Sequence, residues 1–494
     1  MDHLPTLDLI VLLAYLAGMT AFGCWFARKK QSSEEFMAAG RSLPGWAVGL
    51  SIFGSYVSSI SFLANPGKAY SGNWNPFVFS LSLPLAAWVS VRYFVPFYRK
   101  LGDVSAYHHL EQRFGPWART YAVVCYLLTQ LARMGTILYL LALALTPLLG
   151  WDVKTVILLM GVVMTVYPFL GGTEAVIWVG VIQAVTLVAG ALVCLVFPIL
   201  QMPGGAGAIF QTAAENGKFG LGSLGPSLSD STFWVVLIYG LCINLQNFGI
   251  DQSYVQRYIT ARSDRDAARS VWMGALLYIP LSACFFFIGT ALFAFYQAQP
   301  HLLPATPLKP DAILPYFIRT QLPPGMGGII VAAICAAALD SNLNCMATLT
   351  LCDIYRRYFR PDAGEREAMR VLQTATLGFG IMGTVTALAM IRVQSALDRW
   401  WELAGVFSGG MLGLFLLGML SRRSGNREGL AGVAVGVVII LWLSLSPKWE
   451  GVLAPYRSPF HSFLTIVFGT LAILLVGFLL AARRPSKTQG AVRG

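Results

Sequence analysis

Apolar stretches long enough to cross a lipid bilayer, each of roughly 20 residues, recur along this chain from Leu7 to the neighbourhood of Ala482. Only 12% of the 494 residues are charged and 56% are hydrophobic. A soluble chain of this size carries roughly twice that charged share, so water is not the main solvent. The pattern implies one large membrane domain rather than several soluble ones.

We read thirteen spans, near 7 to 27, 44 to 70, 74 to 98, 118 to 148, 153 to 170, 174 to 200, 232 to 257, 271 to 297, 325 to 355, 368 to 391, 398 to 421, 428 to 446 and 458 to 482. The fold class expected is an all-α membrane protein of about 13 transmembrane helices. The formal net charge of +12 could point to nucleic acid, but its placement decides otherwise. Arg28, Lys29, Lys30 and Arg41 follow the first span, Arg99, Lys100 and Arg113 the third, and Arg257, Arg262, Arg265 and Arg269 the seventh. Arg356, Arg357, Arg360, Arg422, Arg423, Arg427, Arg483, Arg484 and Lys487 continue the series, while the opposite loops hold scattered cases such as Lys154, Lys218, Lys309 and Lys448. By the positive-inside rule the N-terminus is outside and the C-terminus cytoplasmic. The first apolar stretch lacks a basic start and a small-residue cleavage site, so it reads as a retained span rather than a signal peptide. The eight cysteines, Cys24, Cys125, Cys194, Cys242, Cys284, Cys335, Cys345 and Cys352, show no metal or redox spacing and read as small packing residues.

Two spans are not plain helices. The second carries Gly54-Ser55-Tyr56-Val57-Ser58-Ser59-Ile60-Ser61 and then Asn65-Pro66-Gly67. The seventh carries Asn244, Gln246, Asn247, Gly249, Asp251 and Gln252 before Arg257. Polar groups at membrane depth are costly unless they face a cavity or a partner. The two lie five spans apart, the register of two inverted five-helix repeats, each opened by a broken helix.

Three constellations could carry chemistry. Ser55, Ser58, Ser59 and Ser61 read either as small residues packing at a helix interface or as an unwound segment whose carbonyls and hydroxyls replace a hydration shell. Arg133 lies between apolar residues on both sides. An Arg at mid-helix costs about 2.5 to 3.5 kcal/mol on insertion scales, so it needs a partner. A structural acid or a solute carboxylate would serve, the latter through a bidentate grip. Asp340, within Ala336-Ala337-Ala338-Leu339-Asp340-Ser341-Asn342-Leu343-Asn344, reads as a sodium ligand, a proton carrier or a structural partner of Arg133.

Other polar residues read more plainly. His3, His108, His109, His301 and His461 lie near loops or span ends without metal-ligand spacing and read as interfacial. Trp46, Trp74, Trp88, Trp178, Trp400 and Trp401 suit interface belts. Glu174, Asp251 and Glu402 sit near span ends and read as helix caps or partners of loop arginines. No nucleophile-elbow, Walker or HExxH pattern is found.

Several motifs together resemble the sodium:solute symporter family. Ser33-Glu34-Glu35-Phe36, Ala39-Gly40-Arg41-Ser42-Leu43-Pro44-Gly45-Trp46 and Ser58-Ser59-Ile60-Ser61-Phe62 are similar to its opening signature. Gly171-Gly172, Val181-Ile182-Gln183, Asp251-Gln252 with Gln256-Arg257-Tyr258, Asp353-Ile354-Tyr355 and Gly409-Gly410 follow in the right order. Within the family the chain looks closest to bacterial sialic-acid symporters, because Arg133 falls where they grip the substrate carboxylate. The resemblance implies a LeuT-like fold and solute contacts from Tyr56, Ser58, Ser61, Ser80 and Arg133, with Phe248 as an aromatic wall. It also implies a sodium site built on carbonyls of Gly54 and Val57 and one near Ile334. Here Ala337 and Ala338 replace the two hydroxyls expected there, and Gly180 replaces an Asp of a second sodium site, while Asp340 and Ser341 stand at hydroxyl positions of that second site. Tyr56 and Ser80 also differ in type from the sialic-acid pattern.

These readings combine into a secondary transporter working by alternating access. A small, carboxylate-bearing solute lies between the broken second and seventh spans, and either Na+ or H+ couples at Asp340. No organic cofactor is expected. The partners are the solute and the lipid bilayer, without nucleic acid, and the chain works as a monomer in a bacterial inner membrane. Residues 1–43 form an extra helix and loop, 44–200 the first repeat, 232–421 the second, 428–482 two C-terminal helices and 483–494 a cytoplasmic tail. The alternatives are an ion-independent uniporter or exchanger of a sugar or monocarboxylate and, from another class, a membrane-embedded sensor. The short tail after Arg483 leaves no room for an effector domain and argues against the sensor. No catalytic group set supports an enzyme.

Overall fold

The computed structural model describes residues 6–26, 32–58, 60–338, 342–392 and 396–483. Its main helices are α1 (Thr6–Trp25), α2 (Ser33–Ala38), α3 (Gly45–Tyr56), α4 (Asn65–Ser71), α5 (His108–Phe114), α6 (Pro116–Leu149), α7 (Val153–Gln201) and α8 (Phe233–Ile250). They continue as α9 (Gln252–Ile259), α10 (Asp264–Ala298), α11 (Met326–Ala338), α12 (Leu343–Leu349), α13 (Glu365–Met390), α14 (Ala396–Leu420), α15 (Asn426–Leu445) and α16 (Leu464–Ala482). Among the described residues ten helices are long and apolar enough to cross a membrane, one of them the segment Asn75–Leu101. Val153–Val166 and Met326–Ala336 are shorter apolar helices.

The second span is broken where its polar residues cluster. α3 stops at Tyr56, Val57 is extended (φ −83°, ψ 100°), and the chain resumes at Ile60 as a wide-turn helix that runs into α4. The two halves meet at 53°. Pro66 has no N–H to give to the preceding turn, which is where such a wide turn is tolerated. The seventh span breaks at Asp251 (φ −72°, ψ 120°), which separates α8 from α9. Its carboxylate accepts the Ser253 N–H at 2.8 Å and so caps α9.

All eight residues of α9 are buried although half are polar or charged. Buried polar groups require partners, and α9 finds them in loops of the basic face. Gln252 accepts from Ala106 N–H and donates to Val104 O, both at 2.8 Å, and Gln256 donates to Met37 O at 2.6 Å. α2 is thereby held in a corner of α7, where Gly172 takes φ 61° and divides that helix in two. A Cβ on Gly172 would come within 2.9 Å of Phe36 O. The fifth and sixth spans of the sequence reading are these two halves.

The loops that the charge pattern assigns to one side do share a face. Arg41 donates to Gly102 O, Arg99 to Ala261 O, Arg113 to Ser421 O, and Arg357 pairs with Glu111. α1 packs on α7 and α11. Its buried Asp8 accepts the N–H groups of Gly325 and Gly328, each at 2.7 Å, at the start of α11.

A candidate solute chamber between the two breaks

The breaks in the second and seventh spans open onto one central cavity, completed by α6, α10, α14 and the segment Asn75–Leu101. Tyr56, Ser58, Ser61, Ser80 and Arg133 all line it. The five residues read from the sequence as solute contacts thus border one cavity. Arg133 projects from α6 with Thr129 and Gln130, which lie one turn before it on the same face. Its Nη2 donates to the Ser55 carbonyl at 2.5 Å. That carbonyl belongs to the last turn of α3, where helix acceptors lack intrahelical donors.

The four serines of the second span divide in role. Ser55 turns its hydroxyl back to Ser51 O at 2.9 Å, the helix-packing behaviour weighed in the sequence. Ser58 and Ser61 face the cavity, and Ser61 Oγ lies 3.1 Å from Tyr278 OH. Ser59 lies outside the described residues. On the opposite wall Ser80 Oγ is 2.9 Å from Ser282 Oγ.

Phe248 does not form the aromatic wall. It is fully buried and absent from the cavity lining, stacked behind Tyr56 with ring centroids 5.6 Å apart and planes at 28°. The wall itself is Tyr56, which also packs against Tyr254 (5.4 Å) and Tyr278 (5.0 Å). The bulk of four aromatic rings explains the displacement: with tyrosine at 56, the space in front of Phe248 is filled.

Asp251 is more than a cap. It is 3% exposed, lines the cavity, and accepts from Gln130 Nε2 at 2.9 Å. Gln130 Oε1 in turn accepts from Asn342 Nδ2 at 2.7 Å. This polar chain joins α6, the break in the seventh span and the start of α12. Gln130 and Asn342 escaped the sequence reading. The available signal was the Thr129-Gln130 pair one turn before Arg133, between apolar residues on both sides.

The expected ion ligands are partly visible. Gly54 lies in the buried last turn of α3, its Cα turned to the Gly180 carbonyl so closely that a Cβ would sit 3.2 Å from that oxygen. Val57 ends α3 and is buried, and Ile334 is buried in α11. Asp340 and Ser341 lie outside the described residues, and so do the side chains of Ala337 and Ala338. Among the described residues no group of three or more His, Cys, Asp or Glu side chains converges as for a metal.

Aromatic and polar clusters flank the chamber on two sides. Toward the face opposite the arginine-rich loops, Trp401 stacks on Phe79 (5.6 Å, 22°) and meets Tyr239 at 5.3 Å and Phe463 at 4.8 Å. Beyond Trp401 lies an outer cavity of about 380 Å³ lined by Lys68, Asn75, Ser231 and His461. Toward the basic face lies buried α9, whose Tyr254 lines the chamber and whose glutamines bond to residues of that face.

The comparisons agree with this architecture. The family model described as "Sodium:solute symporter family" matches residues 36–436. The sodium/sialic acid symporter NanT of Aliivibrio fischeri is 34% identical over 486 residues, covering 96% of this chain and 93% of its own length. SiaT of Proteus mirabilis, also named a sodium/sialic acid symporter, is 34% identical over 478 residues, 95% of this chain and 94% of its own. Human sodium-coupled monocarboxylate transporter 1 is 29% identical over 467 residues, 92% of this chain and 76% of its own. Among solved structures, a substrate-bound, outward-open Na+-coupled sialic acid symporter superimposes with a TM-score of 0.89 at 33% identity, over 97% of this chain and 98% of that one. A closed conformation of Mhp1 shares the fold alone, at a TM-score of 0.57 and 16% identity. This chain, with its two broken spans around a chamber walled by Tyr56 and Arg133, belongs to the sodium:solute symporter family.

Proposed function

We propose that this protein imports a small carboxylate-bearing solute together with Na+ by alternating access. The observation that carries the reading is Arg133, a guanidinium fixed by the Ser55 carbonyl and turned to a chamber that also holds Ser58, Ser61 and Ser80. A planar guanidinium matches a carboxylate, and the hydroxyls match polar substituents of the solute. Sodium is the coupling ion in this reading, in keeping with the names of the relatives. Gly54, Val57, Ile334, Asp340 and Ser341 are its proposed ligands.

The bent pair of the second span and the two shorter apolar helices complete thirteen spans. Residues 44–200 and 232–421 form the two inverted repeats, 1–43 precede them, and 428–482 add two helices. The basic face is cytoplasmic, which puts the N-terminus outside and the chain in a bacterial inner membrane, acting as a monomer.

Uptake of labelled N-acetylneuraminic acid into proteoliposomes under an inward sodium gradient tests this. Arg133→Ala lowers uptake by about 10- to 1,000-fold, since a charged hydrogen bond to the solute is worth about 1.5 to 3 kcal/mol and its loss also leaves the carboxylate desolvated. Unchanged uptake in that variant would remove the carboxylate assignment. A second reading, a smaller monocarboxylate, draws on the crowding of Tyr56, Tyr254 and Tyr278 around the chamber. Competition of lactate and of N-acetylneuraminic acid for the same uptake separates the two.

A further inference from the structure

We propose that Asp251 is a coupling charge, whose carboxylate draws a sodium ion into the chamber when a solute carboxylate occupies Arg133. The proposal rests on the carboxylate reading above but adds a residue and a polar flank to it. Among the described residues, Arg133 and Asp251 are the basic and acidic side chains that line the cavity. The hydrogen-bond donors that hold Asp251 are neutral: the Ser253 N–H and hydroxyl on one oxygen, Gln130 Nε2 on the other. Such donors orient a carboxylate without cancelling its charge. Arg133 borders the same cavity, and Arg257, in α9, does not reach the lining.

A solute carboxylate at Arg133 therefore puts a second anion into the chamber that holds Asp251. In a low-dielectric interior that arrangement is unfavourable until a cation joins it. The flank around Asp251 is rich in acceptors. Gln246 Oε1, from a residue of the cavity wall, and Asn342 Oδ1, at the end of the Gln130 chain, are buried and without a donor among the described residues. Oxygens of this kind are what a hard cation takes. Asn342 also opens α12, directly after Asp340 and Ser341. Cation binding on this flank is thus tied to the part of the ninth span proposed to hold sodium. Coupling of this kind is reciprocal: sodium strengthens solute binding and solute strengthens sodium binding by the same factor.

Two experiments on the purified full-length protein test it. In the first, Na+ alone is the probe, against choline, and thermal stability is read. Arg133→Gln leaves Asp251 less compensated, so its half-saturating sodium concentration falls several-fold below that of wild type. Adding Asp251→Asn abolishes the gain. A double variant that responds like Arg133→Gln alone overturns the proposal. So does loss of the gain in Arg133→Gln with Asp340→Asn while it persists with Asp251→Asn. In the second, N-acetylneuraminic acid affinity is measured at high and low sodium. Wild type changes by about 5- to 150-fold, the usual span of such couplings, Asp251→Glu keeps most of that ratio, and Asp251→Asn brings it close to one. An unaltered ratio in Asp251→Asn overturns the proposal. If Asp251→Asn does not fold, Gln130→Leu substitutes. Loss of a neutral donor leaves the carboxylate freer to take Na+, so half-saturation falls, and an unchanged or weakened response overturns the proposal. Wild type that fails to bind N-acetylneuraminic acid while the sodium-only results hold would count against the solute reading and leave Asp251 supported.

Discussion

Tyr56 and Asn244 fasten the broken second span to the broken seventh: the Tyr56 hydroxyl donates to Asn244 Oδ1, and Asn247 Nδ2 donates to the same hydroxyl at 3.1 Å. Tyr56→Phe keeps the ring and its stack on Phe248 but strands the buried amide oxygen of Asn244 and takes an acceptor from Asn247, which lines the chamber. Leaving such partners unsatisfied costs about 1 to 3 kcal/mol. The purified variant melts at a lower temperature, and uptake at saturating solute falls more than apparent affinity does. The reason is that the hydroxyl is committed to the framework. An unchanged melting temperature would refute this placement of the hydroxyl.

The helices α3 and α7 approach each other through glycine. A Cβ on Gly180 would meet Ser51 Oγ at 2.9 Å and Ser51 Cα at 3.4 Å. α3 cannot retreat, because α10 presses on its far side, where a Cβ on Gly274 would meet Ile52 Cγ2 at 2.4 Å. Gly180→Ala therefore costs about 1 to 3 kcal/mol through overpacking. Ser51→Ala in the same background recovers part of the loss, since the closest contact is to the hydroxyl oxygen. Gly180→Asp destabilises at least as much, and sodium does not restore it. Thermal unfolding of the three variants with and without sodium decides the matter. Full stability of Gly180→Asp would show that an acid fits here after all.

Most of what positions the chamber was legible in the residue order, because hydrocarbon makes polar residues conspicuous. Gly54 to Ser61 and Asn244 to Asp251 stood out for that reason, and the chain breaks at Val57 and Asp251. Arg133 was legible on the same ground. What escaped was set by packing in three dimensions. Phe248 lies behind Tyr56 only because of how two broken helices cross, and no spacing reports that. Asp251 looked like a cap and is one, but its second oxygen turns to Gln130. A single glutamine in an apolar helix carries no sign of its partner 121 positions away.

Asp8 ties the first helix to the ninth span. It accepts two backbone N–H groups, from Gly325 and Gly328, where α11 begins and its dipole is positive. Capping bonds of this kind are each worth about 1 kcal/mol. Asp8→Ala thus lowers stability by about 1 to 2 kcal/mol, while Asp8→Asn, which keeps an acceptor oxygen but not the charge, loses less. Since α11 leads into the proposed sodium ligands, Asp8→Ala also raises the sodium concentration needed for half-maximal uptake. Equal melting temperatures for wild type and Asp8→Ala would exclude the cap as a source of stability.

His109 makes the fold sensitive to acid. Its ring nitrogens are buried, and its ring packs edge-on against Phe415 (4.8 Å) and Phe97 (5.1 Å). Burial disfavours the imidazolium and pushes the His109 pKa down to about 3, against an ordinary value of 6.5. The unfolded chain therefore binds a proton that the folded chain refuses throughout the interval between those values. Stability is fully present above pH 6.5 and falls as pH drops toward 3, by about 1.4 kcal/mol per pH unit once the unfolded histidine is fully protonated. Near pH 5 the accumulated loss is about 2 kcal/mol from this residue alone. His109→Phe keeps an aromatic ring among the same neighbours and cannot take a proton. Its melting temperature should decline less than that of wild type between pH 7 and pH 5. Parallel declines in the two proteins would show that His109 is protonated in the folded state or that water reaches it.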